Sequence, residues 1–244
     1  MTVLTVDGVW NVRDVGGMPA DGGRIATGRL LRSANLAGIT PGGARDLSAL
    51  IDRIIDLRAD DEVASEPSAV QGVPTTHLPL FLGSVASFFE EDSSLDELYA
   101  HLLEQSGPRL AEALRIIARG ERTLVHCTVG KDRTGVTIAL ALEAVGADRE
   151  AIIADYALTE SQLPAERNRR IAAYLRSQHP DAQHVVALAT QSPAPVMRAL
   201  LASIDDRWGS TADYLRAQGM TDAELAALRE VLVESDAAAH VEQG

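Results

Sequence analysis

Thr123-Leu124-Val125-His126-Cys127-Thr128-Val129-Gly130-Lys131-Asp132-Arg133-Thr134-Gly135-Val136 is the stretch from which the rest of the chain can be read. Thr123 to His126 is short, apolar and β-branched, which predicts a buried strand. Val136 to Val145 is an apolar run closed by Gly146, which predicts a helix. The loop between them holds the only cysteine of the chain, six positions before an arginine at the mouth of the helix. Five intervening residues can wrap so that their backbone N–H groups point inward, forming an anion nest at the positive end of the helix. Gly130 eases that curvature.

An anion nest suits a thiolate and a phosphate alike. A thiol at a helix N-terminus beside cations is expected to ionise, which makes Cys127 a candidate nucleophile for phosphorus. Arg133 offers a planar fork for two phosphate oxygens and can follow their charge into a transition state, and Lys131 adds a point charge beside it. The expected phosphate-binding set is Thr128, Val129, Gly130, Lys131, Asp132 and Arg133. A nucleotide-binding P-loop is excluded, because Val125 stands where it needs glycine and Asp132 where it needs Ser or Thr. A sulfur-transfer loop of the rhodanese kind also holds a lone cysteine in a basic loop. A buried structural cysteine beside a surface Lys-Asp-Arg run is the plain alternative.

Outward from this unit, short strands are expected over Gly28–Leu36, Arg53–Leu57 and Thr75–Leu80, the last two in one sheet. Helices are expected over Ala44–Leu50, Ser94–Gln105, Pro108–Arg119, Arg149–Leu158, Ala165–Ser177, Val196–Trp208, Ala212–Ala217 and Asp222–Glu234. Thr221 with Glu224 three residues on forms a capping box for the last of these. The pattern predicts an α/β fold: a single domain with a central, mostly parallel sheet flanked by helices and a helical C-terminal half. It covers residues 1–236, with 237–244 as a frayed tail. The 244 residues are 46% hydrophobic and 23% charged, enough for a real core. One cysteine rules out an internal disulfide. The net charge of −13 argues against nucleic acid and against stable membrane association, so any anion must be held by a local positive pocket. Neither a secretory signal nor a membrane-spanning stretch is evident, which predicts a cytoplasmic protein.

The run His126 to Gly135 carries the Cys-x5-Arg signature followed by Thr134, and it resembles that of the bacterial PtpB-type tyrosine-protein phosphatases within the protein tyrosine phosphatase superfamily. Other segments resemble that family in the same order: Trp10-Asn11-Val12-Arg13-Asp14-Val15, Gly28 to Ser33, Asp56-Leu57-Arg58, Val145-Gly146 through Asp155-Tyr156, and Leu215 to Gly219. The resemblance implies that Cys127 is the nucleophile and Arg133 the phosphate ligand. Lys131 and Asp132 would be further catalytic loop residues, and the Thr134 hydroxyl would help the cysteine leave. It implies no metal and no organic cofactor. The expected activity is hydrolysis of phosphotyrosine in a protein or peptide through a phosphocysteine, with phosphoserine and phosphothreonine as further candidates. A phosphoinositide phosphatase is one alternative, and a phosphate-binding module without turnover is another.

In two places the chain departs from that family. Leu82 stands where the PtpB type carries an aspartate, and the segment from Gly83 to Gly107, which would form a paired-helix lid, is shorter. A tyrosine leaving group benefits from protonation by roughly 10²–10⁴ in rate, so Asp132 becomes the expected general acid. Asp56, Asp60, Asp61 and the run Glu90-Glu91-Asp92 are the substitutes. Phe81, Phe88 and Phe89, with Val85, are the expected lid or substrate wall, and core packing is the plain alternative. His126 is expected to support the loop, Asp56 and Arg58 to form a buried ion pair, and Arg167, Arg169 and Arg170 to lie on a solvated helix face.

Overall fold

The computed structural model describes residues 1–80 and 89–235. Phe81, Leu82, Val85, Phe88 and the 237–244 tail lie outside the described residues. The strands are β1 (Thr2–Val3), β2 (Arg13–Asp14), β3 (Pro19–Ala20), β4 (Gly23–Ile25), β5 (Leu30–Ser33), β6 (Arg53–Asp56), β7 (Thr75–His77), β8 (Thr123–His126) and β9 (Val233–Ser235). One sheet runs β1-β2-β5-β8-β6-β7, parallel from β5 to β7 and antiparallel at the β1-β2 edge; β3, β4 and β9 form a small antiparallel sheet. Alternation along the central strands sorts the core. Leu30, Ile55 and Val125 enter one hydrophobic cluster, while their neighbours Leu31, Ile54 and Leu124 enter the other across the sheet.

The helices are α1 (Pro41–Leu50), α2 (Asp60–Ser65), α3 (Leu95–Gln105), α4 (Gly107–Ile117), α5 (Asp132–Ala144), α6 (Arg149–Gln162), α7 (Ala165–Gln178), α8 (Val185–Thr190), α9 (Ala194–Trp208), α10 (Thr211–Ala217) and α11 (Asp222–Leu232). Helix α5 is the centre of the molecule. Every residue from Arg133 to Leu142 is buried, and α3, α4, α6, α10 and α11 all pack on it. A helix buried on all sides must be apolar on all sides, which is how Val136 to Leu142 reads apart from Thr137, whose hydroxyl donates to Arg133 O at 2.8 Å.

The expected elements are present, with two corrections. Helix α5 starts at Asp132 rather than Val136, so the end of the loop is already helical. The last helix stops at Leu232, and Val233 to Ser235 pair as β9 with β4. Gly23 allows this: a Cβ there would run into the Glu234 carbonyl. The Thr221–Glu224 capping box forms as expected.

Beneath the sheet edge lies a buried ionic cluster. Asp155 of α6 meets Arg13 Nε through Oδ1 and Arg32 Nη1 through Oδ2, both at 2.6 Å, and all three side chains are 0–2% exposed. Burial alone would push the Asp155 carboxyl up, but the charges and hydrogen bonds of Arg32 and Arg13 outweigh it and hold it below its usual value. A carboxylate lowered in the native state stabilises the fold fully above its unfolded value of about 4, and that contribution is lost as pH falls toward the native value. Asp155→Ala strands two buried guanidinium groups. It should cost about 3–5 kcal/mol in urea unfolding at neutral pH, and the variant should lose less stability than the parent on acidification.

Candidate active site

Strand register assembles the site at the C-terminal edge of the parallel strands, where α/β proteins bind ligands. Ser33 and Asp56 flank His126 in register, so the chain leaves β8 into the Cys127 loop between the ends of β5 and β6. The loop carbonyls are turned outward and held. Asn11 Nδ2 donates to Val129 O at 3.1 Å and to Gly130 O at 3.0 Å, Arg32 Nη2 donates to Gly130 O at 2.7 Å, and the Asn35 N–H donates to Thr128 O at 3.1 Å. Among the described residues, the backbone N–H groups of Thr128 to Asp132 donate no hydrogen bond. Gly130 sits at φ +70° with the Ser33 carbonyl where a Cβ would be. Asn11 holds its grip from φ +61°, a left-handed conformation that asparagine tolerates.

Cys127 opens this loop, 3% exposed. Its carbonyl lies 3.1 Å from His126 Nδ1, and His126 Nε2 lies 3.6 Å from Asp56 Oδ2. Burial pulls the His126 pKa down against the raising effect of Asp56, so the neutral ring donates from Nδ1 to the loop backbone. Asp56 is taken by Arg58 in a buried pair at 2.7 Å, as expected. It is therefore no spare acid.

Arg133 is oriented by a residue that the sequence reading passes over. Glu62 of α2 receives Arg133 Nη1 at 2.6 Å and Nη2 at 2.9 Å, and it also accepts from the Thr128 hydroxyl and, at 2.9 Å, from the Ala59 N–H. Burial alone would raise the Glu62 carboxyl; Arg133, with the Thr128 and Ala59 donors, outweighs it and holds the group at about 2. Asp60 and Asp61, named among substitute acids, are the neighbours of the residue that matters. The signal that finds Glu62 is its place three residues into α2, where a glutamate reaches back to the Ala59 N–H.

Lys131 is a second correction. Its ammonium does not stand beside Arg133 as a loose charge, but donates to Leu188 O at 2.8 Å and Gln191 O at 2.7 Å, tying the loop to α8, and meets Asp132 Oδ1 at 3.1 Å. Asp132 is 21% exposed at the side chain and accepts from the Tyr99 hydroxyl at 2.9 Å. The Thr134 hydroxyl is buried and makes no hydrogen bond among the described residues.

Over the loop lies a cavity of about 490 Å³. Its polar floor is Glu62, Cys127, Thr128, Lys131, Asp132 and Arg133. Its apolar wall comes from Phe89 and Leu188 and from one face of α7, where Arg167, Ile171, Tyr174 and Leu175 follow at helical spacing. Arg167 therefore corrects the solvated-face reading that fits Arg169 and Arg170. It is half-buried, its Nη1 donates to Asn168 at 3.0 Å, and burial lowers its pKa. Of the three cations lining the cavity, it alone has no carboxylate partner among the described residues. Phe89 also packs against the main core. Asp92 is spent on the N–H groups of Gln183, His184 and Val185 at 2.7–3.2 Å, which anchor the start of α8. No group of three or more His, Cys, Asp or Glu among the described residues is placed to hold a metal ion, and none of the described helices is long and apolar enough to cross a membrane.

Orphaned backbone donors wrapped around a strand-end cysteine are the architecture of cysteine-dependent phosphatases. Residues 4–234 match the model of the tyrosine phosphatase family, and the chain belongs to that family. It is similar to the triple specificity protein phosphatase PtpB of Mycobacterium tuberculosis, 28% identical over 96% of this chain and 100% of the relative. It is also similar to a putative tyrosine-protein phosphatase of Cupriavidus necator, 32% identical over 87% of this chain and 82% of the relative. Among solved structures, P. aeruginosa TpbA covers 76% of this chain and 99% of its own at 19% identity, with a TM-score of 0.36.

The Glu62 contact predicts a positioning effect. Glu62→Ala should lower kcat/KM for aryl phosphates by about 10²-fold, the scale of a misplaced catalytic group. Circular dichroism should be unchanged, because α2 buries none of its residues. Because Glu62 titrates at about 2 in the folded protein, the parent should show no pH limb from this pair above pH 4.

Proposed function

We propose that this chain hydrolyses phosphotyrosine in proteins or peptides through a phosphocysteine at Cys127. The observation that carries the reading is the N–H array of Thr128 to Asp132, unused among the described residues, in a loop that begins with Cys127 and ends with Arg133. A phosphate dianion in the nest takes those donors on its equatorial oxygens, with Arg133 held in plane by Glu62. The Cys127 sulfur attacks phosphorus as the bond to the tyrosine oxygen breaks, and that oxygen takes a proton from Asp132. Water then attacks the phosphocysteine, gives its proton to Asp132, and the P–S bond breaks. The Thr134 hydroxyl, which has no hydrogen-bond partner among the described residues, turns to the departing sulfur. The wall of Phe89, Ile171, Tyr174, Leu175 and Leu188 favours an aromatic ester, and Arg167 attracts the dianion into a protein of net charge −13.

Assays with phosphotyrosine peptides, phosphoserine peptides and phosphoinositides, in EDTA, test the reading. Cys127→Ser and Arg133→Ala should each abolish turnover, while Cys127→Ser still binds phosphate by calorimetry because the backbone nest survives. Undiminished activity in Cys127→Ser removes the mechanism, and a preference for phosphoinositides over every peptide moves the substrate to lipid.

Arg167→Ala should raise KM several-fold, within about tenfold, with kcat little changed, and the parent's kcat/KM should fall more steeply with salt than the variant's.

A further inference from the structure

Helix α3 sends Tyr99 to the back of the site, where its ring is 1% exposed and its hydroxyl lies 2.9 Å from Asp132 Oδ1 and 2.6 Å from the Tyr156 hydroxyl. We infer that Tyr99, backed by Tyr156, is a positioning residue for the general acid: it holds Oδ1 of Asp132 as an acceptor and so makes Oδ2 the oxygen that carries and delivers the proton. The inference rests on the assignment of Asp132 as the acid.

The direction of the chain follows from counting protons. Each phenol has one. Tyr156 is 1% exposed and its hydroxyl has no further partner among the described hydrogen bonds. If Tyr99 donated to Tyr156, the Tyr156 proton would be buried without an acceptor, which is costly. Tyr156 therefore donates to Tyr99, and Tyr99 donates to Asp132. The Lys131 ammonium lies 3.1 Å from the same Oδ1 as an ion pair and is itself fixed by the Leu188 and Gln191 carbonyls. One hydroxyl donor and one cation thus face Oδ1, and a proton there would oppose both. Among the described hydrogen bonds none engages Oδ2, and Asp132 lines the cavity. Burial and the neighbouring Asp132 push both phenols above their usual pKa, so they remain donors through the working range. The rings are locked as well: they meet edge to face at 6.0 Å between centroids, and Tyr156 packs against Gly135 at the start of α5.

The test is kcat/KM for aryl phosphates of graded leaving-group pKa in Tyr99→Phe, Asp132→Asn, the double variant and Tyr214→Phe. Tyr214 is a buried tyrosine whose hydroxyl donates to Leu103 O of the same helix at 2.8 Å, so it reports the general cost of removing a hydroxyl that holds α3. Tyr99→Phe should lose about tenfold or more with leaving groups of pKa near 10 and stay within about twofold of the parent with the best leaving groups, steepening the dependence in the sense of Asp132→Asn. In the Asp132→Asn background it should add nothing. Tyr214→Phe should leave the slope unchanged. A steep slope in Asp132→Asn with the parent's slope in Tyr99→Phe overturns the inference and keeps the acid. A parental slope in Asp132→Asn overturns both. A uniform loss shared by Tyr99→Phe and Tyr214→Phe reduces Tyr99 to packing. Should Tyr99→Phe fail to fold with the Tyr156 hydroxyl stranded, Tyr99→Phe/Tyr156→Phe, which strands none, is measured in its place.

Discussion

The site depends on a single constraint: the carbonyls of the loop after β8 must point away from the ligand. A backbone that offers its N–H groups inward has to dispose of its C=O groups outward, and buried carbonyls need donors. Asn11 and Arg32 supply them at Val129 and Gly130, with the Asn35 N–H at Thr128. Those donors are themselves held, since Arg13 donates to the Asn11 side-chain oxygen and Asp155 fixes both arginines. The nest is thus the inner surface of a network whose outer surface is buried charge.

Charge in the cavity is arranged in pairs. Arg133 is matched by Glu62, and the Lys131 ammonium is set between Asp132 Oδ1 and the Leu188 and Gln191 carbonyls, so each cation of the floor is fixed in place. Pairing costs desolvation, but it fixes each group in one orientation before substrate arrives, and oriented dipoles and charges are what stabilise a transition state without reorganisation. Arg167 stands outside this pairing and comes from α7, the wall facing the loop.

What the amino-acid order reveals is local. Cys127, Arg133 and the strand-loop-helix that presents them are readable because spacing and turn chemistry act within ten residues. The central strands are readable because Ile54-Ile55 and Leu124-Val125 are apolar on both faces. Glu62 and Tyr99 escape notice, and Asn11 and Arg32 are visible only as parts of resembling segments, because their partners are remote: Asn11 meets Gly130 across 119 positions and Tyr99 meets Tyr156 across 57. Strands of two or three residues such as β2 and β3 are too short to display alternation. Arg167 misleads for another reason. In a run of Arg, Asn, Arg and Arg nothing marks which one faces inward until Ile171, Tyr174 and Leu175 are seen to share its face of α7.

Asp155 and Tyr156 are consecutive residues of α6, yet one braces the loop through Arg13 and Arg32 while the other reaches Tyr99 behind Asp132. Successive residues on a helix diverge by about 100°, and the two braces use that divergence. Helix α6 therefore works as a gauge block, with its rotation and its distance from the Asp148 cap both set by the loop on its two sides. Inserting or deleting one residue between Asp148 and Asp155 would turn both braces away together. The interval is expected to tolerate changes of residue type at its exposed positions, such as Ala154, far better than any change of length.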